Sequence, residues 1–216
     1  MVGGARMTGR ILETEADLAA GAAWLAAREP CLASVLARVG PLPLRRRADG
    51  FGALLEAIVS QQVSLASAAA VLGRLRAAGL DAAQALAGAE DEVLRGCGLS
   101  RQKIFYIKGL AAAGIDYAGL HVLPDDAVVA RLMALPGIGR WSAEIYAMFA
   151  LGRADVLAAG DLALQEGARM LFGLPARPAP AALATMAEAW SPWRAVAARL
   201  LWAYYGAARG REGVGA

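Results

Sequence analysis

The stretch Leu-Pro-Gly-Ile-Gly-Arg at residues 135–140 is the strongest constraint on how this 216-residue chain folds. The spacing of the flanking apolar residues predicts that a helix at 125–134 ends, and another at 141–152 begins, within about five residues. The two glycines permit positive φ angles and let the backbone approach another molecule closely. The first amides of the second helix have no partner within it, so they form a ready anion site. The stretch fits either a plain helix–helix turn or a phosphate-binding hairpin.

Helical spacing of apolar residues continues over nearly the whole chain, in which alanine, leucine, arginine and glutamate are abundant. We find no alternating strand pattern and no repeat of solenoid length. The predicted fold class is therefore all-α, with short loops and with loose ends at residues 1–12 and 210–216. The predicted helices cover 14–28, 31–39, 50–60, 64–78, 81–87, 90–96, 100–113, 125–134, 141–152, 161–173, 179–189 and 192–208.

The composition argues against a membrane protein or an exported one. Hydrophobic residues make up 58% of the chain, which is ample for a core. The longest uncharged stretch, residues 57–73, is short for a bilayer crossing and contains serine and glutamine, so no transmembrane helix is predicted. The N-terminus shows no basic region followed by an apolar segment and a cleavage site. In a bacterium we would expect the protein in the cytoplasm, with the nucleoid.

The numbers of cysteine, histidine and charged residues limit which disulfides, metal sites, catalytic groups and binding partners are possible. Cys31 and Cys97 are too few for a disulfide scaffold or a four-cysteine iron–sulfur cluster, and we expect two reduced thiols in or near the core. His121 is the single histidine, so no second one exists to build a metal site or a catalytic triad. A net charge of +3 and a pI of about 9.1 permit a polyanionic partner without requiring one.

The hairpin and four other segments resemble the helix-hairpin-helix DNA glycosylase superfamily. Leu-Pro-Gly-Ile-Gly matches the hairpin core of that family, and Asp161, twenty residues after Trp141, matches its aspartate at the start of the next helix. The resemblance is closest to the AlkA/Mag-type 3-methyladenine DNA glycosylases II. It implies a two-lobed helical fold over residues 13–209. The remaining matching segments are 51–69, 98–111 and 191–205.

The resemblance gives Asp161 a second role beyond that of a helix N-cap, which is its ordinary local interpretation. In the family this carboxylate stabilises the positive charge that develops on the sugar as the base leaves, and it orients or deprotonates the attacking water. Trp141 stands where relatives that also cut the strand carry a lysine that forms a Schiff base. The resemblance therefore implies a monofunctional enzyme that leaves an abasic site.

The resemblance also implies a base pocket and a wedge. Trp202 and Trp141 are implied as aromatic walls that attract a cationic alkylated purine by stacking and cation–π contact. Ile145 departs from the family, since close relatives have a tyrosine there, and we expect a more open pocket on that side. Tyr146 is expected to point elsewhere, by about 100° around the helix. Gln62 is implied as the wedge that fills the gap left by the flipped base.

The DNA backbone is implied to contact the hairpin and three basic side chains. The family grips DNA through the amides of the hairpin, here Gly137 and Gly139. Arg101, Lys103 and Arg140 are further candidates for phosphate contact. Hairpin carbonyls are also implied to hold a monovalent cation, Na⁺ or K⁺, and by position these belong to Met133, Leu135 and Ile138. No other cofactor is expected.

The leading interpretation is a monomeric, monofunctional DNA glycosylase that excises alkylated purines from damaged double-stranded DNA in base excision repair. One alternative is a bifunctional glycosylase and AP lyase, which Trp141 opposes. Another is a helix-hairpin-helix DNA-binding protein without catalysis, which has no need of Asp161. The lesion range stays open between 3-methyladenine alone and a range that includes 7-methylguanine, ethenoadenine or hypoxanthine.

Overall fold

The computed structural model describes residues 9–210, and over this range it confirms the all-α fold class. The one extended pairing among these residues is a bridge between Ile11 and Arg153. None of the helices in this range has the length and apolar character needed to span a bilayer. The helices are α1 (Glu15–Ala26), α2 (Pro30–Val39), α3 (Phe51–Val59), α4 (Leu65–Ala77), α5 (Ala83–Gly88), α6 (Asp91–Gly96), α7 (Arg101–Ala112), α8 (Tyr117–Leu120), α9 (Asp125–Met133), α10 (Arg140–Phe149), α11 (Leu162–Leu171), α12 (Pro180–Met186), a 3₁₀ helix (Ala187–Trp190) and α13 (Arg194–Ala208).

The helix boundaries follow the predicted ones closely, except at two short elements. The four-residue helix α8 was not predicted, because four residues are too few to show a helical period. A side-chain cap stabilises it, since Asp116 accepts a hydrogen bond from the amide of Gly119 at 2.9 Å. The predicted helix at 179–189 divides into α12 and the 3₁₀ helix, which lengthens the connection to α13.

The chain divides into two compact units, in agreement with the predicted two-lobed organisation. The first unit combines the segment that ends at Arg46 with the segment that begins at Ala147. The second unit is Arg47–Tyr146, which contains α3 to α9 and the start of α10. The hairpin therefore belongs to the second unit, and Asp161 belongs to the first.

The packed part of the first unit begins before the predicted domain boundary at residue 13. The side chain of Leu12 is fully buried, and its amide donates to the carbonyl of Gly152 at 2.7 Å. The amide of Ala154 donates to the carbonyl of Arg10 at 2.9 Å. The rest of the predicted loose ends, residues 1–8 and 211–216, lies outside the described residues.

In the first unit, α13 is the central helix and packs against α1, α2 and α11. Most residues from Ala195 to Trp202 are buried, as expected for a helix surrounded by others. Its contact with α1 depends on Gly21, because a Cβ at that position would lie 2.6 Å from the indole ring of Trp193. Burial of Trp193, like that of Trp190, belongs to this core.

In the second unit, α7 is the central helix and packs against α3, α5 and α6. Ile104, Ile107 and Leu110 point into the core at helical spacing. The phenol of Tyr146 is also buried, accepts a hydrogen bond from the amide of Gly50 at 2.8 Å, and has its pKa raised to about 12 by burial. Tyr146 is therefore a core residue of the second unit. The prediction from its place on the helix was only that it points away from the direction of Ile145.

Glu144 is a buried acid on α10, one turn beyond the start of that helix. Only 7% of the residue is exposed, and burial raises the pKa of its carboxyl to about 7. The guanidinium of Arg140, 3.5 Å away, opposes that shift but is itself largely exposed. Since the unfolded chain would lose this proton near the ordinary pKa of 4.5, the folded state binds more protons between the two values.

We expect the free energy of unfolding to fall as the pH rises from 4.5 to about 7, because ionised Glu144 is disfavoured in the fold. The group should contribute a decrease of about 1–3 kcal/mol over this range. Denaturant titrations of the wild type and of Glu144→Gln at several pH values check this. Glu144→Gln should flatten the decline in the free energy of unfolding, whereas Glu92→Gln, at an exposed position, should leave that decline unchanged. An unchanged pH profile in Glu144→Gln would contradict the assignment.

Candidate active site and nucleic-acid interface

Asp161 is the N-cap of α11, and its carboxylate accepts three hydrogen bonds on one oxygen. The amides of Ala163 and Leu164 donate to Oδ1 at 2.9 and 3.0 Å. The indole Nε1–H of Trp202 donates to the same oxygen at 3.1 Å. The local interpretation as a cap is confirmed, and the carboxylate is held in one orientation at the positive end of a helix dipole.

The indole of Trp202 reaches Asp161 because α11 and α13 approach each other closely. Gly167 faces the carbonyl of Leu201, and a Cβ there would lie 2.9 Å from that oxygen. Trp202 follows Leu201 directly, is 4% exposed, and has its ring centroid 5.9 Å from that of Phe149. The structure therefore brings the predicted pocket wall Trp202 against Asp161 within the first unit.

A second polar side chain of α11 secures the loop before Asp161. The side-chain amide of Gln165 is buried and donates to the carbonyl of Ala159 at 2.9 Å. The amide of Asp161 itself donates to the carbonyl of Ala158 at 2.9 Å. Sequence reasoning missed Gln165; a lone amide four residues after an aspartate in an apolar segment was the available signal.

Two more contacts fix the chain between α10 and α11. The hydroxyl of Ser191 donates to Oδ2 of Asp155 at 2.7 Å, which ties the loop to the segment before α13. The guanidinium of Arg46 donates to the carbonyl of Ala150 at 2.8 Å, just beyond the end of α10. With these contacts, the segment that carries Asp161 is held at both ends as well as at the cap.

The hairpin in the second unit is seated on α7 through two glycines. Gly137 has a φ of 79°, and a Cβ there would lie 2.5 Å from the ring of Tyr106. A Cβ on Gly109 of α7 would lie 2.9 Å from the ring of Pro136. A Cβ on Gly139 would meet no atom within 4 Å, and Gly139 is not among the glycines with positive φ. The two hairpin glycines thus differ, since Gly137 is required for packing and Gly139 is not.

The loop between α3 and α4 is connected to the hairpin and presents Gln62. The side-chain amide of Gln61 donates to the carbonyl of Gly137 at 2.8 Å. Gln62 has a φ of 57°, which is uncommon for a residue other than glycine, and its side chain is exposed. Of the two adjacent glutamines, Gln61 is engaged within the unit and Gln62 is the one turned to solvent.

The basic candidates of the second unit differ in their surroundings. Arg101 is exposed at the start of α7, and the side chain of Arg140 is 67% exposed at the start of α10. The ammonium of Lys103 instead donates to the carbonyl of Val59 at 2.6 Å, and burial lowers its pKa. Lys103 therefore stabilises the end of α3, which sequence reasoning did not foresee.

Trp141 and Ile145 both lie on α10, but only the tryptophan is accessible. Trp141 is 44% exposed, which suits a role at a ligand surface better than one in the core. Ile145 is 7% exposed, so it is a core side chain at the position where, by the resemblance, close relatives have a pocket tyrosine. Trp141 belongs to the second unit, whereas Asp161 and Trp202 belong to the first.

The carbonyls predicted to bind a cation are those at the end of α9 and in the hairpin. Helix α9 ends at Met133, so the carbonyls of its last turn have no partner further along that helix. The carbonyl of Leu135 accepts a hydrogen bond from the amide of Ile138 at 3.2 Å, which leaves one of its two lone pairs. Carbonyl oxygens of this kind are suitable ligands for Na⁺ or K⁺.

A family model described as HhH-GPD superfamily base excision DNA repair protein matches residues 55–195. This chain belongs to that superfamily. The match begins in α3, includes the loop with Gln62 and the hairpin, and extends through Asp161 to the start of α13. Both the hairpin and the capped aspartate therefore lie within the part of the chain that defines the family.

Named relatives of this HhH-GPD protein include two curated enzymes. DNA-3-methyladenine glycosylase 1 of Schizosaccharomyces pombe is 32% identical over 160 residues, which cover 69% of this chain and 69% of the relative. DNA-3-methyladenine glycosylase 2 of Escherichia coli is 29% identical over 168 residues, which cover 71% of this chain and 57% of the relative.

Two solved structures resemble the HhH-GPD protein over most of its length. The crystal structure of a DNA-3-methyladenine glycosidase from Bacillus halodurans has a TM-score of 0.80 at 31% identity, covering 94% of this chain and 95% of that one. The 3-methyladenine DNA glycosylase of S. pombe in complex with abasic DNA has a TM-score of 0.72 at 26% identity, covering 88% and 97%.

Gly137→Ala and Gly139→Ala should separate packing from ligand approach in the hairpin. Gly137→Ala should lower the melting temperature, because its methyl group overlaps Tyr106 and its φ is strained. Gly139→Ala should leave the melting temperature unchanged but weaken duplex DNA binding about tenfold, if the backbone at this glycine approaches a phosphate closely. Thermal melts and binding titrations check both; unaltered DNA affinity in Gly139→Ala would contradict the close approach.

Proposed function

We propose that this HhH-GPD protein is a monofunctional DNA glycosylase that hydrolyses the N-glycosidic bond of alkylated purines, of the 3-methyladenine type, in damaged double-stranded DNA. The observation that carries the proposal is the carboxylate of Asp161, held by two helix amides and by the indole of Trp202. The names of the relatives support the substrate class. The proposed product is an intact strand with an abasic site, and the proposed active form is a monomer.

Asp161 acts in this proposal on the sugar from which the base departs. Cleavage of the glycosidic bond leaves positive charge on the sugar, and a fixed carboxylate stabilises it. At about 4 Å and an effective dielectric near 20, one such contact is worth about 4 kcal/mol, or roughly a thousandfold in rate. The same carboxylate orients or deprotonates the water that attacks the sugar.

The departing base requires less catalytic stabilisation than the sugar. An alkylated purine that carries positive charge is already a good leaving group, so no strong general acid is required. In this proposal the indole face of Trp202 attracts such a base by stacking and cation–π contact. In this proposal Trp202 both stacks on the flipped base and orients Asp161, which makes it a residue of binding and of positioning at once.

The DNA-binding part of the proposal belongs to the second unit. The amides at the start of α10 and the exposed Arg140 and Arg101 contact phosphates, while Gln62 fills the gap left by the flipped base. Carbonyls of Met133, Leu135 and Ile138 bind a Na⁺ or K⁺ ion, which adds positive charge where the hairpin meets the phosphate. The complex of a relative with abasic DNA supports DNA as the partner.

Asp161→Asn should reduce single-turnover release of 3-methyladenine from alkylated duplex DNA about a thousandfold, while the affinity for abasic duplex remains. The substitution removes the charge but retains the oxygen that accepts from the helix amides, so the cap should persist. Asp116→Asn, at the N-cap of α8, is the matched control and should release base at the wild-type rate. Wild-type turnover by purified Asp161→Asn would contradict the catalytic assignment.

Borohydride trapping on a duplex with a natural abasic site should yield no covalent protein–DNA adduct. The expected absence follows from Trp141, since an indole cannot form the Schiff base that a lysine would form at this position. Denaturing gel electrophoresis of the reaction, with a known glycosylase-lyase as positive control, checks the prediction. Efficient formation of an adduct would favour the bifunctional alternative.

A further inference from the structure

A cleft in the second unit is lined by residues of α3, α4 and α7 and of the segments that join them to their neighbours. Its volume is about 370 Å³, near the lower end of the range of about 300–1,000 Å³ that small-molecule sites occupy. Apolar side chains, among them Val59, Val71 and Leu99, form part of its wall. A cleft of this size suits a ligand with a single ring better than one with a base, a sugar and a phosphate.

Arg74 and Lys103 are the two charged residues in the wall of the cleft, and backbone carbonyls hold both of them. The Nε–H of Arg74 donates to the carbonyl of Cys97 at 2.8 Å, and the ammonium of Lys103 donates to the carbonyl of Val59 at 2.6 Å. Gly98 lets the guanidinium lie against the backbone, because a Cβ there would lie 2.6 Å from Nη2 of Arg74. Both cations are therefore positioned before any ligand binds, which lowers the entropic cost of binding.

The positive charge of this pair is not neutralised within the second unit. Neither cation forms an ion pair with a carboxylate of the described residues, and the wall of the cleft includes no acidic residue. Burial lowers the pKa of Lys103, so its ammonium has lost hydration without gaining a counter-charge. Each cation uses only one N–H donor on a carbonyl, which leaves further donors on both for an anion.

We propose that this cleft binds a small phosphate monoester whose apolar part is about the size of one ring. Such a phosphate carries close to two negative charges at neutral pH, which matches one guanidinium and one ammonium. The fork of Arg74 can donate two parallel hydrogen bonds to its oxygens, while the ring covers apolar wall at Val71 and Leu99. The inference goes beyond the proposed function, because no residue around Asp161 takes part in it.

The first test titrates the full chain with phenyl phosphate, benzoate and inorganic phosphate at neutral pH and constant ionic strength, followed by amide NMR shifts. Phenyl phosphate should bind about tenfold more tightly than either other probe, because benzoate lacks the second charge and inorganic phosphate lacks the ring. The saturable shifts should include the amides of Val71 and Leu99. No saturable binding, equal affinity for another probe, or shifts confined to the hairpin at Gly137 and Gly139 would overturn the proposal.

Variants of α4 test the two halves of the cleft separately. Arg74→Gln should weaken phenyl phosphate binding about tenfold, and Arg74→Lys should recover part of the loss. Arg76→Gln is the matched control, since Arg76 is on the same helix but outside the wall, and it should bind like the wild type. Ala70→Phe, at an exposed position in the wall, should block binding while both cations remain. Thermal melts check that each variant is folded, and wild-type affinity in Ala70→Phe would contradict the assignment.

Duplex DNA binding separates this cleft from the proposed DNA interface. Arg74→Gln should leave both the affinity for undamaged duplex and the slope of log affinity against log salt at their wild-type values. A weaker affinity with a slope shallower by about one would show that Arg74 contacts a DNA phosphate instead, and would overturn the proposal.

Discussion

The close approach of α11 to α13 at Gly167 is the constraint on which the candidate active site depends. A side chain at this position would meet the carbonyl of Leu201 at 2.9 Å, so only glycine lets the two helices lie this close. The next residue, Trp202, then reaches the N-terminus of α11, where its indole donates to Asp161. A greater separation of the helices would lengthen that hydrogen bond, because Asp161 is attached to α11 and Trp202 to α13.

The structural role of Asp161 and its proposed catalytic role are not alternatives, because the same hydrogen bonds serve both. The two amides that make it a cap also fix the direction of its carboxylate, and the indole adds a third donor. Dipoles that are already oriented cost no reorganisation when charge develops nearby. At the N-cap of α8, by comparison, the carboxylate of Asp116 accepts from the amide of Gly119.

The sequence was sufficient to predict the helices, the hairpin and Asp161 as a cap, because each depends on local spacing. Apolar residues at three- and four-residue steps favour helices from local spacing alone, and a proline with two glycines favours a turn. Tertiary contacts explain what was missed. Gln165 is a loop anchor only because Ala159 lies within its reach, and Gly137 is a packing residue only because Tyr106 lies beneath it. Such contacts join residues whose separation along the chain follows no helical or strand repeat. The sequence pattern therefore does not reveal them.

Two acidic side chains, Asp161 in the first unit and Glu144 in the second, have very different surroundings. Asp161 is surrounded by donors, which compensate for the loss of water. Glu144 has one exposed guanidinium nearby, and burial raises its pKa to about 7. A carboxyl that is protonated below this pH adds no negative charge to α10, whose first amides face a phosphate in the proposed complex. In the proposed function, Asp161 acts on the positive charge of the sugar, while protonated Glu144 does not oppose the phosphate that the hairpin is proposed to bind.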